Sequence, residues 1–239
     1  MDMNKFHDIF LELEKGILDG DYQPGTLLPS ENQLVEQYSV SRETIRKALN
    51  LLINAGYIQK QQGKGSIVLN VRKFDLPISG VISYKELQGA QQIHSITRVV
   101  ELKEENVSES LARLTGWKKE AVVWRLVRQR EIDGEVVIVD IDYLLKDIIN
   151  ELPEERAADS IYDYFENDLG LVISYAQKEI TVEAVTEEDR TLMDIQDDTH
   201  VVVVRSVVSL EDTRCFEYTE SRHRLDKFKF VDFARRRKA

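Results

Sequence analysis

The sequence predicts an α+β protein in two parts, a small helical module closed by a hairpin and a larger body of antiparallel strands with a few helices. Three observations carry this expectation. Apolar residues recur at helical spacing up to about residue 55 and alternate at strand spacing beyond about residue 75. Asp133-Gly134 separates two alternating stretches, a strong hairpin signal. Charge is also divided: the net charge is −11, yet between positions 42 and 73 Arg42, Arg46, Lys47, Lys60, Lys64, Arg72 and Lys73 face the single acid Glu43. A basic module on an acidic body suits a polyanionic partner; a solvated, locally basic face is the plainer alternative.

Phe6, Phe10, Leu13 and Ile17 share one face of a first helix over residues 4–18, ended by the turn Gly20 to Gly25. Ser30 and Gln33 form a capping box for a second helix running to Tyr38. Ser41 caps a third, whose Ile45, Leu49 and Leu52 point inward while Arg42, Glu43, Arg46, Lys47 and Asn50 point elsewhere. Ala55-Gly56 stops it, and strands over Tyr57 to Gln61 and Ser66 to Leu69 flank a glycine-rich tip. This order is that of a winged helix-turn-helix. Arg42, Thr44 and Arg46 then occupy the first turns of a recognition helix, with donors that suit guanine or phosphate oxygens. Gly63 and Gly65 let the wing backbone approach a sugar-phosphate chain, and Lys64 between them reaches a phosphate or the minor groove.

Arg72 to Pro77 reads as a linker, giving a DNA-binding domain over 1–71, a linker over 72–77 and a second domain over 78–239. In the second domain, strands are expected at Ile78 to Tyr84, Ser95 to Leu102, Ala121 to Ile132, Glu135 to Tyr143, Leu171 to Val185, His200 to Leu210 and Arg214 to His223. Helices are expected at Ser108 to Leu114, Ser160 to Leu169 and, capped by Thr186, Glu187 to Ile195. Strand parity puts Val122, Trp124, Leu126, Arg128 and Arg130 on one side, an apolar face running into two arginines. Buried guanidinium groups need partners: an anionic ligand, or structural acids such as Asp140 and Asp142. Parity likewise groups Glu217, Thr219, Ser221 and His223, as a polar site or as a solvated face.

No apolar run is long enough for a membrane span, and MDMNKFHDIF lacks the layout of a signal peptide, so a cytoplasmic protein without a membrane partner is expected. The single cysteine, Cys215, excludes an internal disulfide, and His7, His94, His200 and His223 show no metal-ligand spacing. Neither a metal nor another cofactor is expected. An enzyme acting on a small anion would have only Glu217 as a candidate base and no paired nucleophile, and a non-specific nucleoid-type protein would ignore both metabolites and base sequence.

Leu28-Pro29-Ser30-Glu31, the run Tyr38 to Leu49, Gly56-Tyr57-Ile58 and Gly63-Lys64-Gly65-Ser66 resemble the GntR family of bacterial transcription regulators over residues 5–70. That resemblance implies a homodimer on palindromic double-stranded operator DNA, one recognition helix per half-site, with Ser30, Arg42, Thr44, Arg46, Lys47, Lys64 and Gly65 near the DNA. Asn32 departs from members that carry arginine there. Ser83-Tyr84-Lys85-Glu86, Arg128-Gln129-Arg130, Ser160-Ile161-Tyr162 and Phe216-Glu217-Tyr218 are similar to the UTRA effector domain of the HutC subfamily, related in fold to chorismate lyase. The resemblance implies that Ser83, Tyr84, Arg128, Arg130, Ser160, Tyr162, Glu217 and His223 surround a sugar phosphate, the last standing where many relatives have tyrosine. A helix start at Ser160 would add amide donors for the same anion. Ile173 to Ile180 and Glu220 to Arg236 resemble members that control trehalose utilisation, which implies trehalose 6-phosphate as inducer of a repressor.

Overall fold

The structure, a computed structural model, describes residues 5–61, 63–70, 80–91 and 94–230. The chain divides into two compact units between residues 74 and 75; the linker expected at 72–77 lies outside the described residues.

In the first unit, α1 (Lys5–Asp19), α2 (Glu31–Tyr38) and α3 (Arg42–Asn54) precede the hairpin of β1 (Ile58–Gln61) and β2 (Gly65–Val68). Local chemistry starts and stops each helix. Ser30 closes a reciprocal capping box with Gln33, and Ser41 accepts the Thr44 amide at the start of α3. Gly56 follows the end of α3 with φ +85°, a conformation glycine adopts without steric cost. The buried stripe of α1 is Ile9, Leu13 and Ile17, with Phe6 and Phe10 at its margin, a small rotation from the expected face. Those residues pack on Leu34, Ile45, Leu49, Leu52 and Ile58. The strand expectation missed one element: the segment before α2 lies along β2, with Leu28 N donating to Ser66 O and Val68 N to Thr26 O, each at 2.9 Å. This ties the wing to the helical core.

The second unit is one six-stranded antiparallel sheet in the order β3 (Ser95–Asn106), β4 (Val122–Ile132), β5 (Glu135–Leu145), β8 (Cys215–Arg224), β7 (His200–Leu210), β6 (Ile173–Ala184). Asp133 and Gly134 take φ of 56° and 84°, the left-handed pair that a tight hairpin between β4 and β5 requires. Both faces of the sheet are covered. On one, α6 (Glu154–Asp159), α7 (Ile161–Asp163) and a π-helical turn, Tyr164–Asp168, pack Ala157, Ile161 and Phe165 onto Leu126, Leu144 and Val208. On the other, Met193 and Ile195, just beyond α8 (Glu187–Leu192), cover Val127, Val139, Ile141 and Val203, while Trp117 and Leu111, carried by α5 (Glu109–Thr115) and the turn after it, cover Val123 and Tyr218.

Two expectations fail here. The strand expected over Ile78 to Tyr84 is absent from its described part, 80–84, where helix α4 (Tyr84–Gln91) begins instead. The cause is a capping box: Ser83 Oγ accepts the Glu86 amide at 3.2 Å while the Glu86 carboxylate accepts the Ser83 amide at 2.7 Å. The single helix expected over Ser160 to Leu169 is instead α7 followed by the π-helical turn.

Candidate effector cavity and DNA-reading face

On α3, Arg42, Arg46 and Lys47 are exposed and Thr44 is half-buried, while Ser30 at the start of α2 and Lys64 and Gly65 in the wing are exposed. Gly63 and Gly65 adopt φ of 77° and 111°, so the tip is a turn that side-chain-bearing residues resist. Glu31 organises this surface: its carboxylate accepts from Arg46 Nε at 3.0 Å and from Lys60 Nζ at 2.8 Å, and those two cations hold its pKa below the usual carboxylate value. Lys47 pairs with Glu43 at 3.3 Å one turn away. The DNA-facing candidates therefore lie on two helix starts and a wing, with Arg46 and Lys47 held by exposed ion pairs that phosphate groups can replace at small cost.

The second unit encloses a cavity of about 180 Å³ over the sheet. Its floor follows from strand parity: alternate residues of β4 to β8 point into it, among them Arg128, Arg130, Asp140, Asp142, Ser206, Glu217, Thr219 and Ser221. The roof is α4 and the turn before it, with Ser83 and Tyr84, and α7 with Ser160 and Tyr162. All eight residues expected at an effector site, His223 included, line this one cavity.

The two arginines do find structural acids. Arg128 donates to Asp142 at 2.7 Å, and Arg130 to Asp140 at 2.9 Å. Yet those pairs do not exhaust the donors. Arg128 Nε is buried without a hydrogen-bond partner, and a buried unpaired donor in a native fold calls for a ligand or a water. Arg130 is held by Thr97 Oγ1 and lies 4.2 Å above the Tyr84 ring, whose hydroxyl donates to Ser95. Desolvation opposes the charge of Arg128, but Asp142 and Asp140 outweigh it and raise its pKa.

Glu217 is buried, and desolvation together with the nearby Asp142 charge pushes its pKa up to about 8. It is therefore predominantly neutral at pH 7, accepting from the Tyr162 hydroxyl at 2.9 Å. Burial lowers the His223 pKa to about 4, so its imidazole is neutral too, bonded to Ser221 Oγ at 2.9 Å. Lys178, which the sequence reading did not single out, also lines the cavity. At neutral pH the cations Arg128, Arg130, Lys178 and Lys85 therefore face three carboxylates, Asp140, Asp142 and Asp159, the last paired with Lys85, and the balance favours an anion. Of the amide donors expected at the helix start near Ser160, that of Asp163 is taken by Ser160 Oγ at 3.3 Å, and α7 is a single turn.

Comparison with known proteins accords with this division. Residues 6–68 match the model of the bacterial regulatory proteins of the gntR family, and residues 90–229 match the UTRA domain. The chain is 48% identical over 238 residues to the HTH-type transcriptional regulator TreR of Bacillus subtilis, covering 100% of both proteins. It is 27% identical to the transcriptional repressor NagR of the same organism, over 95% of this chain and 93% of that one. Among solved structures, the Bacillus subtilis regulator YydK superposes with a TM-score of 0.80 at 25% identity, covering 98% of this chain and 100% of that chain. The effector binding domain of the B. subtilis trehalose repressor TreR is 50% identical with a TM-score of 0.56, covering 60% of this chain and 99% of that domain. These relatives are transcriptional regulators, and the chain is a regulator of operator DNA answering to a small-molecule effector, not an enzyme. Matched along its length by proteins of this architecture, the chain belongs to the GntR family of bacterial regulatory proteins, as a member with a UTRA domain behind its DNA-binding module.

Proposed function

We propose that this regulator is a cytoplasmic homodimer that represses trehalose utilisation genes from a palindromic operator and is released by trehalose 6-phosphate. In this reading residues 1–71 form the DNA-binding domain, 72–77 the linker, and 78–239 the effector-binding and dimerisation domain. Ser30, Arg42, Thr44, Arg46, Lys47, Lys64 and Gly65 contact DNA. Ser83, Tyr84, Arg128, Arg130, Ser160 and Tyr162 gather around the phosphate, with Glu217 and His223 toward the sugar. The observation that carries the reading is the cation excess of the cavity, to which Arg128 and Arg130 contribute. An uncharged sugar would leave that charge unanswered. The 48% identity to TreR supplies the choice of sugar.

The inducer releases DNA only to the extent that it binds the released arrangement more tightly than the DNA-bound one. The test is anisotropy of labelled DNA from upstream of trehalose genes, at fixed salt because phosphate contacts make affinity salt-dependent. Trehalose 6-phosphate, trehalose and glucose 6-phosphate are titrated separately. Release by trehalose 6-phosphate alone is expected; tight sequence-specific binding that none of the three relieves refutes the proposed inducer. In the same assay Arg128→Lys keeps a charge against Asp142 but loses the Nε donor and the guanidinium fork. Release should then need about ten to a hundred times more inducer, the worth of one hydrogen bond to a charged group.

A further inference from the structure

The cavity floor has a long axis, and the strand register defines it. Lys178 on β6 is paired with Ser206 on β7, Ser206 with Thr219 on β8, and Thr219 with Asp142 on β5. Asp142 in turn faces Leu126 on β4, two residues before Arg128. One polar row thus crosses the sheet from the lysine toward the arginines. Four strand spacings separate the backbones of Lys178 and Leu126, a span of roughly 19 Å. The adjacent row, Val204, Ser221, Asp140 and Arg128, is polar only from β8 onward. The two ends of the floor therefore differ: the paired arginines with Tyr84 against Arg130 at one, and the Lys178 ammonium with the Ser206 hydroxyl beside it at the other.

Lys178 is also held in place. Its Nζ donates to Gly80 O at 2.7 Å. An ammonium has three donors, so this bond positions the head and leaves further N–H groups for other acceptors. Burial lowers the Lys178 pKa, with Glu217 opposing the shift. A partly desolvated ammonium gains more from each acceptor it meets than an exposed one does.

We propose that Lys178, with Ser206 beside it, is the specificity-determining end of the effector cavity: it hydrogen-bonds the sugar ring remote from the phosphate, and so selects a disaccharide phosphate over a hexose phosphate. The inference deepens the sugar-phosphate reading above and rests on it. A hexose phosphate anchored at the arginines covers about one strand spacing beyond its phosphate and leaves Lys178 and Ser206 without contact. A second ring extends along the row toward both. Discrimination then comes from polar groups that a short ligand leaves unanswered, a stronger filter than added apolar contact.

The experiment is calorimetric titration of the full-length protein and its Lys178→Met and Ser206→Ala variants with trehalose 6-phosphate, glucose 6-phosphate and inorganic phosphate. Methionine matches the lysine stem in length without its donors. In Lys178→Met, trehalose 6-phosphate affinity is expected to fall tenfold or more while glucose 6-phosphate and phosphate bind as in wild type; those unchanged affinities also report an intact cavity. Ser206→Ala should show the same selectivity with a smaller loss. Equal weakening of all three ligands in Lys178→Met, with Ser206→Ala behaving as wild type, overturns the inference and places the anion at the lysine. Unchanged trehalose 6-phosphate affinity in both variants overturns the inference while leaving the inducer standing. A wild-type protein that binds phosphate and glucose 6-phosphate but not trehalose 6-phosphate overturns the proposed inducer and this inference together.

Discussion

Glu217 shows how one residue's surroundings decide its role. Its place on the cavity face follows from strand parity, but its protonation does not, because that depends on what the fold packs around it. Burial and the Asp142 charge raise its pKa from 4.5 to about 8, so between these values the folded state holds a proton that the unfolded chain has released. Stability contributed by this group is therefore fully present below about pH 4.5 and is lost as pH rises toward 8, at up to about 1.4 kcal/mol per pH unit. Glu217→Gln abolishes that dependence, since its amide does not ionise and its oxygen still accepts from Tyr162. Denaturant unfolding of both proteins from pH 5 to 9 should show the variant gaining on the wild type with each unit up to about 8. Parallel curves would mean that Glu217 is ionised in the folded protein. Arg128 teaches a related lesson. The sequence left an anion and a structural acid as alternative partners for it, and the structure supplies the acid while leaving Nε open. A guanidinium has more donors than one carboxylate can satisfy, so the alternatives were not exclusive.

At the level of elements, those whose ends carry their own chemistry were legible. Ser30 with Gln33, Ser41, Asp133-Gly134 and Thr186 start or turn their segments as the sequence indicates. Helix α4 was not, because Ile78, Ile82 and Tyr84 alternate with Ser79 and Ser83 like a strand while the capping box of Ser83 and Glu86 is local and easily overlooked. Lys178 was missed for a different reason: its significance lies in a row across four strands, and register between strands distant in sequence is a tertiary property. The cap on α4 has a functional consequence, because this helix carries Tyr84 beneath Arg130. Ser83→Ala should cost about 1 kcal/mol of stability and weaken the effector. Ser83→Asp caps as well as serine, so it should restore the stability, but it places a negative charge on the cavity wall and should weaken an anionic effector further. Thermal unfolding with and without trehalose 6-phosphate separates the two effects. If Ser83→Asp is stabilised by the ligand as strongly as wild type, Ser83 does not face the anion.

For the whole molecule, the net charge of −11 repels DNA at long range, so operator binding must come from the local field of α3, the wing and their neighbours. That makes the salt dependence a count of phosphate contacts and, through it, of protomers. Each neutralised phosphate contributes about −0.9 to the slope of log K against log salt. With Arg42, Arg46, Lys47 and Lys64 as the contacting cations, one protomer yields a slope of about −3.6 and a dimer about twice that. Arg42→Ala sharpens the measurement. It removes one contact per protomer, so the slope should become shallower by about two units in a homodimer and one in a monomer, if Arg42 meets a phosphate. If Arg42 reads a base instead, the variant loses about 1 to 3 kcal/mol on the operator, keeps its slope, and discriminates the operator less well from unrelated DNA. In either case trehalose 6-phosphate affinity, measured on the free protein, should match the wild type, because the cavity is lined wholly by residues of the second unit. A variant with wild-type operator affinity, slope and discrimination would remove Arg42 from the DNA-reading face. A wild-type slope near −3.6, shallower by one unit in the variant, would make the DNA-bound species a monomer.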